Sequence, residues 1–197
     1  MMPTDRKTLT RELERLLEGA DQLGGEGLSV ALQRVVDAAA PLLSAQGAGI
    51  MLADEHEVLR PAAASGAPGR RLATAEERLG SGPAQDSYAH DLPVVSSDLT
   101  IDARWPDLRH LVDRSVVRAV LAAPLSLPDG GPIGALSVYT SRARDWEVAE
   151  ISATLAYAGV VASLIAIALE ARLRGVLLDR LLSALRGGPR SDDPYDG

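Results

Sequence analysis

The chain contains no cysteine, no asparagine and no phenylalanine, and Lys7 is its one lysine. Without cysteine there is no disulfide, no thiol nucleophile, no thiolate metal ligand and no thioether-linked chromophore. With a single lysine, far from any Gly-rich loop, no Walker-type phosphate loop can form. The three histidines, His56, His90 and His110, have no ligand spacing such as HExxH. No GxSxG nucleophile elbow occurs. The paired acids, Asp54 with Glu57 and Glu76 with Glu77, read as solvated turn and helix faces rather than a catalytic pair. The expectation is therefore a protein that is not an enzyme, with no metal and no cofactor.

What is present is Ala, Arg, Leu and Gly in abundance, a usage that suggests a high-GC bacterial gene. The formal net charge is −7, and acids and arginines alternate without a basic block. Nucleic-acid binders show a basic face, so direct nucleic-acid binding is not expected. The N-terminus, MMPTDRKTLTRELERLL, lacks the apolar core of a signal peptide, which makes the cytoplasm the default. A chain of 197 residues can bury enough surface to fold without disulfides or metal.

One run is long and apolar. Ile151 to Leu169 carries no charge over 19 residues, the length of a membrane span. It is rich in Ala, however, and carries Ser152, Thr154, Tyr157 and Ser163. The chain beyond it continues in helical phase as EARLRGVLLDRLLSALR. It reads as a helix of a soluble protein, buried on most sides, and not as a membrane segment. One sheet face cannot cover so apolar a helix. A second helical partner is implied, most simply its copy in a homodimer.

Leu9, Leu13, Leu16, Ala20 and Leu23 step by four and three, so residues 1–25 are expected to hold an amphipathic helix. Gly24 and Gly25 end it, and a second helix is expected from Leu28 to Ala45, with Pro41 able to end it early. Ala48 to Ala53 and Val58 to Ala64 read as a hairpin around the Asp54–Glu57 turn. Residues 65–83 read as turn-rich, with a short helix at Ala73–Leu79, and Ala84 to His90 as another. Then come a strand at Leu92–Ser96, a loop from Asp98 to Pro106 and a short helix from Asp107. The clearest hairpin joins Val116–Leu127 to Pro132–Tyr139, with a helix from Asp145 onward. A tail at 187–197 shows no packing pattern and is expected to be disordered.

Several strings in this order resemble the GAF domain family: GSGP at 80–83, LPV at 92–94 followed by Asp98-Leu99, and Arg104-Trp105-Pro106. RAVLAAPL at 118–125, IGALSVY at 133–139 and IAIALEARL at 165–173 complete the set. The resemblance covers about residues 28 to 172, and is greatest to actinobacterial regulators that often join such a domain to an RNA-binding ANTAR domain. No ANTAR part is visible here. It implies an α+β, GAF/PAS-like fold, with a central antiparallel sheet of five or six strands flanked by helices and long terminal helices. The divisions are 1–25 for the N-terminal helix, 26–170 for the domain, 171–186 for the helical extension and 187–197 for the tail. Relatives often read Gly-Pro-Cys where this chain has Ala84, so any thiol role found in them is absent. The cyclic-nucleotide signature needs Asn and Phe, and bilin attachment and methionine-sulfoxide reductase chemistry need Cys; all are excluded. Some relatives hold haem through a histidine; for His90 and His110 surface or capping roles are expected instead.

The implied function is a regulatory or sensor module that binds an unidentified small molecule, dimerises through its terminal helices and signals to a partner protein. The alternatives are a ligand-free dimerisation scaffold and a membrane-anchored sensor. Candidate pocket residues are Tyr88, Asp98, Arg104, Trp105 and Tyr139, offering aromatic walls and polar handles. The bland alternative pairs Arg104 with Asp98 to fix the loop and puts Trp105 in the core. Leu9, Leu13 and Leu16, with Leu169, Leu173 and Leu177, are the candidate dimer residues. Alternation sets Ala135, Ser137 and Tyr139 on one face of their strand and Leu136 and Val138 on the other. Which face meets a cavity is left open. Gly134 is expected to admit a helix close to its strand, and Pro124 to end pairing or sit at an edge.

Overall fold

A computed structural model of the chain describes residues 25–112, 115–128 and 130–186. The expected helix carrying Leu9, Leu13 and Leu16, and the tail at 187–197, lie outside the described residues. The first described helix, α1 (Gly25–Leu42), turns a buried row of Leu28, Leu32, Val36 and Ala39 inward at helical spacing. Pro41 falls in its last turn, where the helix stops anyway.

Strands β1 (Gly47–Ala53) and β2 (Leu59–Ala64) form the first hairpin. Helices α2 (Gly66–Leu79) and α3 (Pro83–His90) follow, then β3 (Val94–Ser96) and the single turn α4 (Leu108–Leu111). Strands β4 (Ala119–Leu127) and β5 (Gly131–Thr140) make the second hairpin, and α5 (Val148–Arg186) closes the described chain. The five strands form one antiparallel sheet in the order β2-β1-β5-β4-β3. This is the α+β architecture expected, with five strands.

The two faces of the sheet are covered differently. Ile50, Leu121, Leu136 and Val138 point to the side where α1 and α5 pack, and all are fully buried. Removing a side chain of this kind from water stabilises by about 1.5–3 kcal/mol. From α5 the same core receives Ala158, Val161, Ala162, Ile165 and Leu169. Tyr157 ties α5 to α1 by donating its hydroxyl to the Val35 carbonyl at 2.7 Å. Met51, Ala135, Val120 and Tyr139 point to the other side, where α2, α3 and α4 pack. The alternation along β5 holds, and the Ala135–Ser137–Tyr139 face is the one turned to the small helices.

Two local expectations are corrected and a third is narrowed. The segment that reads as turn-rich before Ala73 is helical from Gly66, so α2 has 14 residues. Its glycines and Pro68 fall in the first turn, where an unpaired N–H costs nothing. Gly134 admits a strand rather than a helix: a Cβ there would stand 2.2 Å from the Met51 carbonyl oxygen of β1. Of the two expectations for Pro124, an end to pairing is not met and an edge position is. The residue lies inside β4, opposite Ala135 and beside an irregularity in register. Strand β3 pairs only with Val120–Ala122, so Pro124 sits beyond its end, where no ladder bond is required of it.

The apolar run also packs less fully than expected. Over the α5 window with mean hydropathy 2.0, only 28% is buried within the chain. By length and composition this helix is long and apolar enough to cross a membrane. Its exposed residues include Val160, Leu164, Ile167 and Ala171, which step by four, three and four.

Candidate functional site

Between β1, β5 and α2 lies a small cavity lined by Gly49, Met51, Leu72, Ala73, Ser137 and Tyr139, with Gly69 and Glu76 completing the α2 side. The positions 69, 72, 73 and 76 fall on one face of α2 by helical spacing. Gly69 sets the distance at one end: a Cβ there would be 3.0 Å from the Ala48 carbonyl oxygen. The Tyr139 ring occupies the space beside Gly47, where any Cβ would overlap it, and the residue donates its hydroxyl to the Ser65 carbonyl at 3.2 Å. The cavity volume is about 10 Å³, room for one water molecule.

Glu76 is the polar group of this space, and it corrects the expectation of a solvated face: it is 1% exposed. Its Oε2 accepts the backbone N–H of Ala84 at 2.8 Å, so it caps the start of α3 in place of the side chain that Gly82 lacks. Gly82 has φ +149, and a Cβ on it would stand 2.5 Å from Glu76 Cγ. Glycine is therefore what lets the carboxyl reach α3. Oε1 is the one buried side-chain oxygen or nitrogen without a hydrogen-bond partner among the described residues. Burial, helped by nearby Asp86, pushes the carboxyl up to about 8, against the lowering effect of the Ala84 and Gln85 N–H groups.

Of the five expected pocket residues, the structure brings only Tyr139 to the cavity wall. Trp105 is buried in the same apolar cluster as Leu72 and Tyr139 without lining the cavity, and its indole N–H donates to Asp86 at 2.9 Å. Tyr88 packs against the cluster of Met51 and Ala135. Arg104 is half exposed, stacks 4.2 Å from the Trp105 ring centre and pairs with Asp102 at 2.7 Å. Asp98 pairs instead with Arg118, whose guanidinium holds its carboxyl below the usual range, helped by Thr100. The expected Arg104–Asp98 pair is thus two separate pairs, each fixing one end of the 97–107 loop.

Asp54 is buried rather than solvated. It accepts the N–H groups of His56 and Val58 at 2.9 and 2.8 Å and pairs with Arg60, which shapes the β1–β2 turn. All three histidines are exposed. No cluster of metal-ligating side chains occurs among the described residues. Of the candidate dimer leucines on α5, Leu169 is buried in the core of its own chain, Leu173 is half-buried and Leu177 is exposed.

The GAF domain family model matches residues 27–169. No curated protein sequence matches the chain. The GAF domain of a phosphoenolpyruvate-protein phosphotransferase from Coxiella burnetii superposes with a TM-score of 0.60 at 16% identity, covering 88% of this chain and 99% of that one. The second GAF domain of DevS from Mycobacterium smegmatis gives 0.55 at 16% identity, covering 74% and 98%. A type II free methionine-R-sulfoxide reductase from Thermoplasma acidophilum gives 0.53 at 14% identity, covering 82% and 95%. At these identities the likeness is one of fold.

Proposed function

Because this chain belongs to the GAF domain family, we propose that it is a non-catalytic, cytoplasmic regulatory module. A small molecule bound between the sheet and α2 biases a dimer held through the terminal helices, and so a partner protein. The observation that carries this reading is α5. One continuous helix lays Ala158, Val161, Ile165 and Leu169 on the sheet and leaves Val160, Leu164, Ile167 and Ala171 bare on another side. The 4-3-4 stepping of that bare row is the seam of a two-helix coil. The helix that reads the sheet is then also the helix that meets the second copy. Light scattering on an eluting peak tests it. A dimer is expected for the wild type and a monomer for Val160→Glu combined with Ile167→Glu; a monomeric wild type sinks the reading.

The cavity favours a second reading, a dimerisation scaffold that binds nothing, since about 10 Å³ admits only a water. Thermal shift separates the two. A specific ligand at about 100 times its dissociation constant should stabilise by about 2.7 kcal/mol.

A further inference from the structure

We propose that the inner cavity selects small uncharged carbonyl compounds, of amide or lactam type, and holds their polar end between Glu76 Oε1 and the Ser137 hydroxyl. This rests on the reading of the cavity as the ligand site and gives that ligand a chemical class.

Glu76 supplies the first reason. Its Oε2 is committed to the Ala84 N–H, while Oε1 is buried, unpartnered among the described residues and carried by a side chain that lines the cavity. A buried polar atom left unpaired is unfavourable, and a bound group can relieve that. Since Oε2 accepts from the backbone, the neutral acid carries its proton on Oε1. The atom offered to a ligand is thus a donor, and it calls for an acceptor such as a carbonyl oxygen. The Ser137 hydroxyl lines the same space. As a hydroxyl it accepts from the ligand N–H.

The walls supply the second reason. No Lys, Arg or His lines the cavity. An anion entering it would meet Glu76, with Asp86 behind, and find no counter-charge. A cation would have to ionise Glu76 and bury both charges among Met51, Leu72 and Ala73, where desolvation offsets the attraction. An uncharged amide leaves the acid neutral and lays its apolar body on those same side chains. The basic side chains of this helix lie elsewhere. Arg70, Arg71, Thr74 and Arg78 lie on the outer side of α2, around an open groove of about 240 Å³.

Entry requires α2 to draw back from the sheet. The helix is bounded by Gly66 at φ +67 and by Gly80 at φ +59, with Gly82 following. These are backbone positions where large changes cost least.

Three probes of one shape and three charges test the proposal: benzamide, benzoate and benzylammonium, titrated at pH 6.5 into the isotope-labelled full chain. The backbone amide signals of Ala73, Ala84 and Ser137 report the cavity. Benzamide is expected to move them saturably, at least tenfold more tightly than either ion. Glu76→Leu is expected to weaken benzamide at least tenfold. Glu76→Gln, which keeps an acceptor for Ala84 and a donor for the ligand, is expected to retain it and to remove the loss of affinity expected of the wild type above about pH 8. If an ion binds there as well as benzamide, or if Glu76→Leu changes nothing, the ligand class is wrong while the cavity still binds. If none of the three moves those signals, the cavity is not a ligand site, and the parent reading falls with the proposal.

Discussion

Glu76 and Asp98 bind their protons differently in the folded state, and they do so in opposite directions. Glu76 has its folded value raised to about 8 from an ordinary value of 4.5. The folded chain binds that proton more tightly, so the associated stability is full below about pH 4.5 and is lost as pH rises towards 8. By linkage the loss is on the order of 3 kcal/mol between pH 5 and 8. Urea unfolding of wild type and Glu76→Gln across that range should show a falling wild type and a flatter variant. Asp98 is held below its ordinary value by Arg118. Its stability is present above about pH 4 and is lost on further acidification. Asp98→Asn should lower the Tm at pH 7 and lose less than the wild type between pH 5 and 3. Glu76 escapes a local reading of the sequence for a physical reason. An adjacent acid pair is ordinarily solvated, and Glu77 does face outward to Arg60. Glu76 is one position around the helix, on the face of Leu72 and Ala73. Once α2 is extended back to Gly66, the spacing 69-72-73-76 marks it as inward. Its partner at Ala84 depends on how α3 packs, which no local pattern records.

At the scale of elements, the strands and the long helix were legible because their patterns are strong. The β4–β5 pairing and the alternation along β5 follow from the period of two, and the turn glycine Gly131 has φ +72. Helix α2 was legible only in its second half, since SGAPG spells a turn when read locally. The α2–α3 corner turns on Gly82. Gly82→Ala should destabilise by about 1–3 kcal/mol, through its φ and through displacement of Glu76 from Ala84. A chemical denaturation curve measures it. Gly175 is the opposite case: it lies inside α5, exposed, and a Cβ added to it would meet nothing within 4 Å. Gly175→Ala should therefore stabilise, by about 0.5–1 kcal/mol in the same assay.

At the scale of the molecule, the sheet separates two tasks. One face holds the small cavity beneath α2, and the other carries α1 and α5. Any change at β5 is felt on both, because Ser137 and Tyr139 line the cavity while Leu136 and Val138, in alternation with them, touch the terminal-helix core. The apolar length of α5 was legible, and the proposal of a second helical partner rests on that length. Which residues would meet it was not legible, because Leu169 faces the chain's own core and the bare row is offset around the helix at Val160, Leu164 and Ile167. The absence of cysteine makes the central claim directly measurable. Leu177→Cys, at an exposed position of α5, gives a single attachment point for a nitroxide, and dipolar spectroscopy then reads the distance to the same site in a second copy. Two α5 helices joined along the bare row predict one narrow intermolecular distance, lost when Val160→Glu and Ile167→Glu are added. A featureless decay, with no intermolecular coupling in the otherwise unaltered chain, would contradict the account.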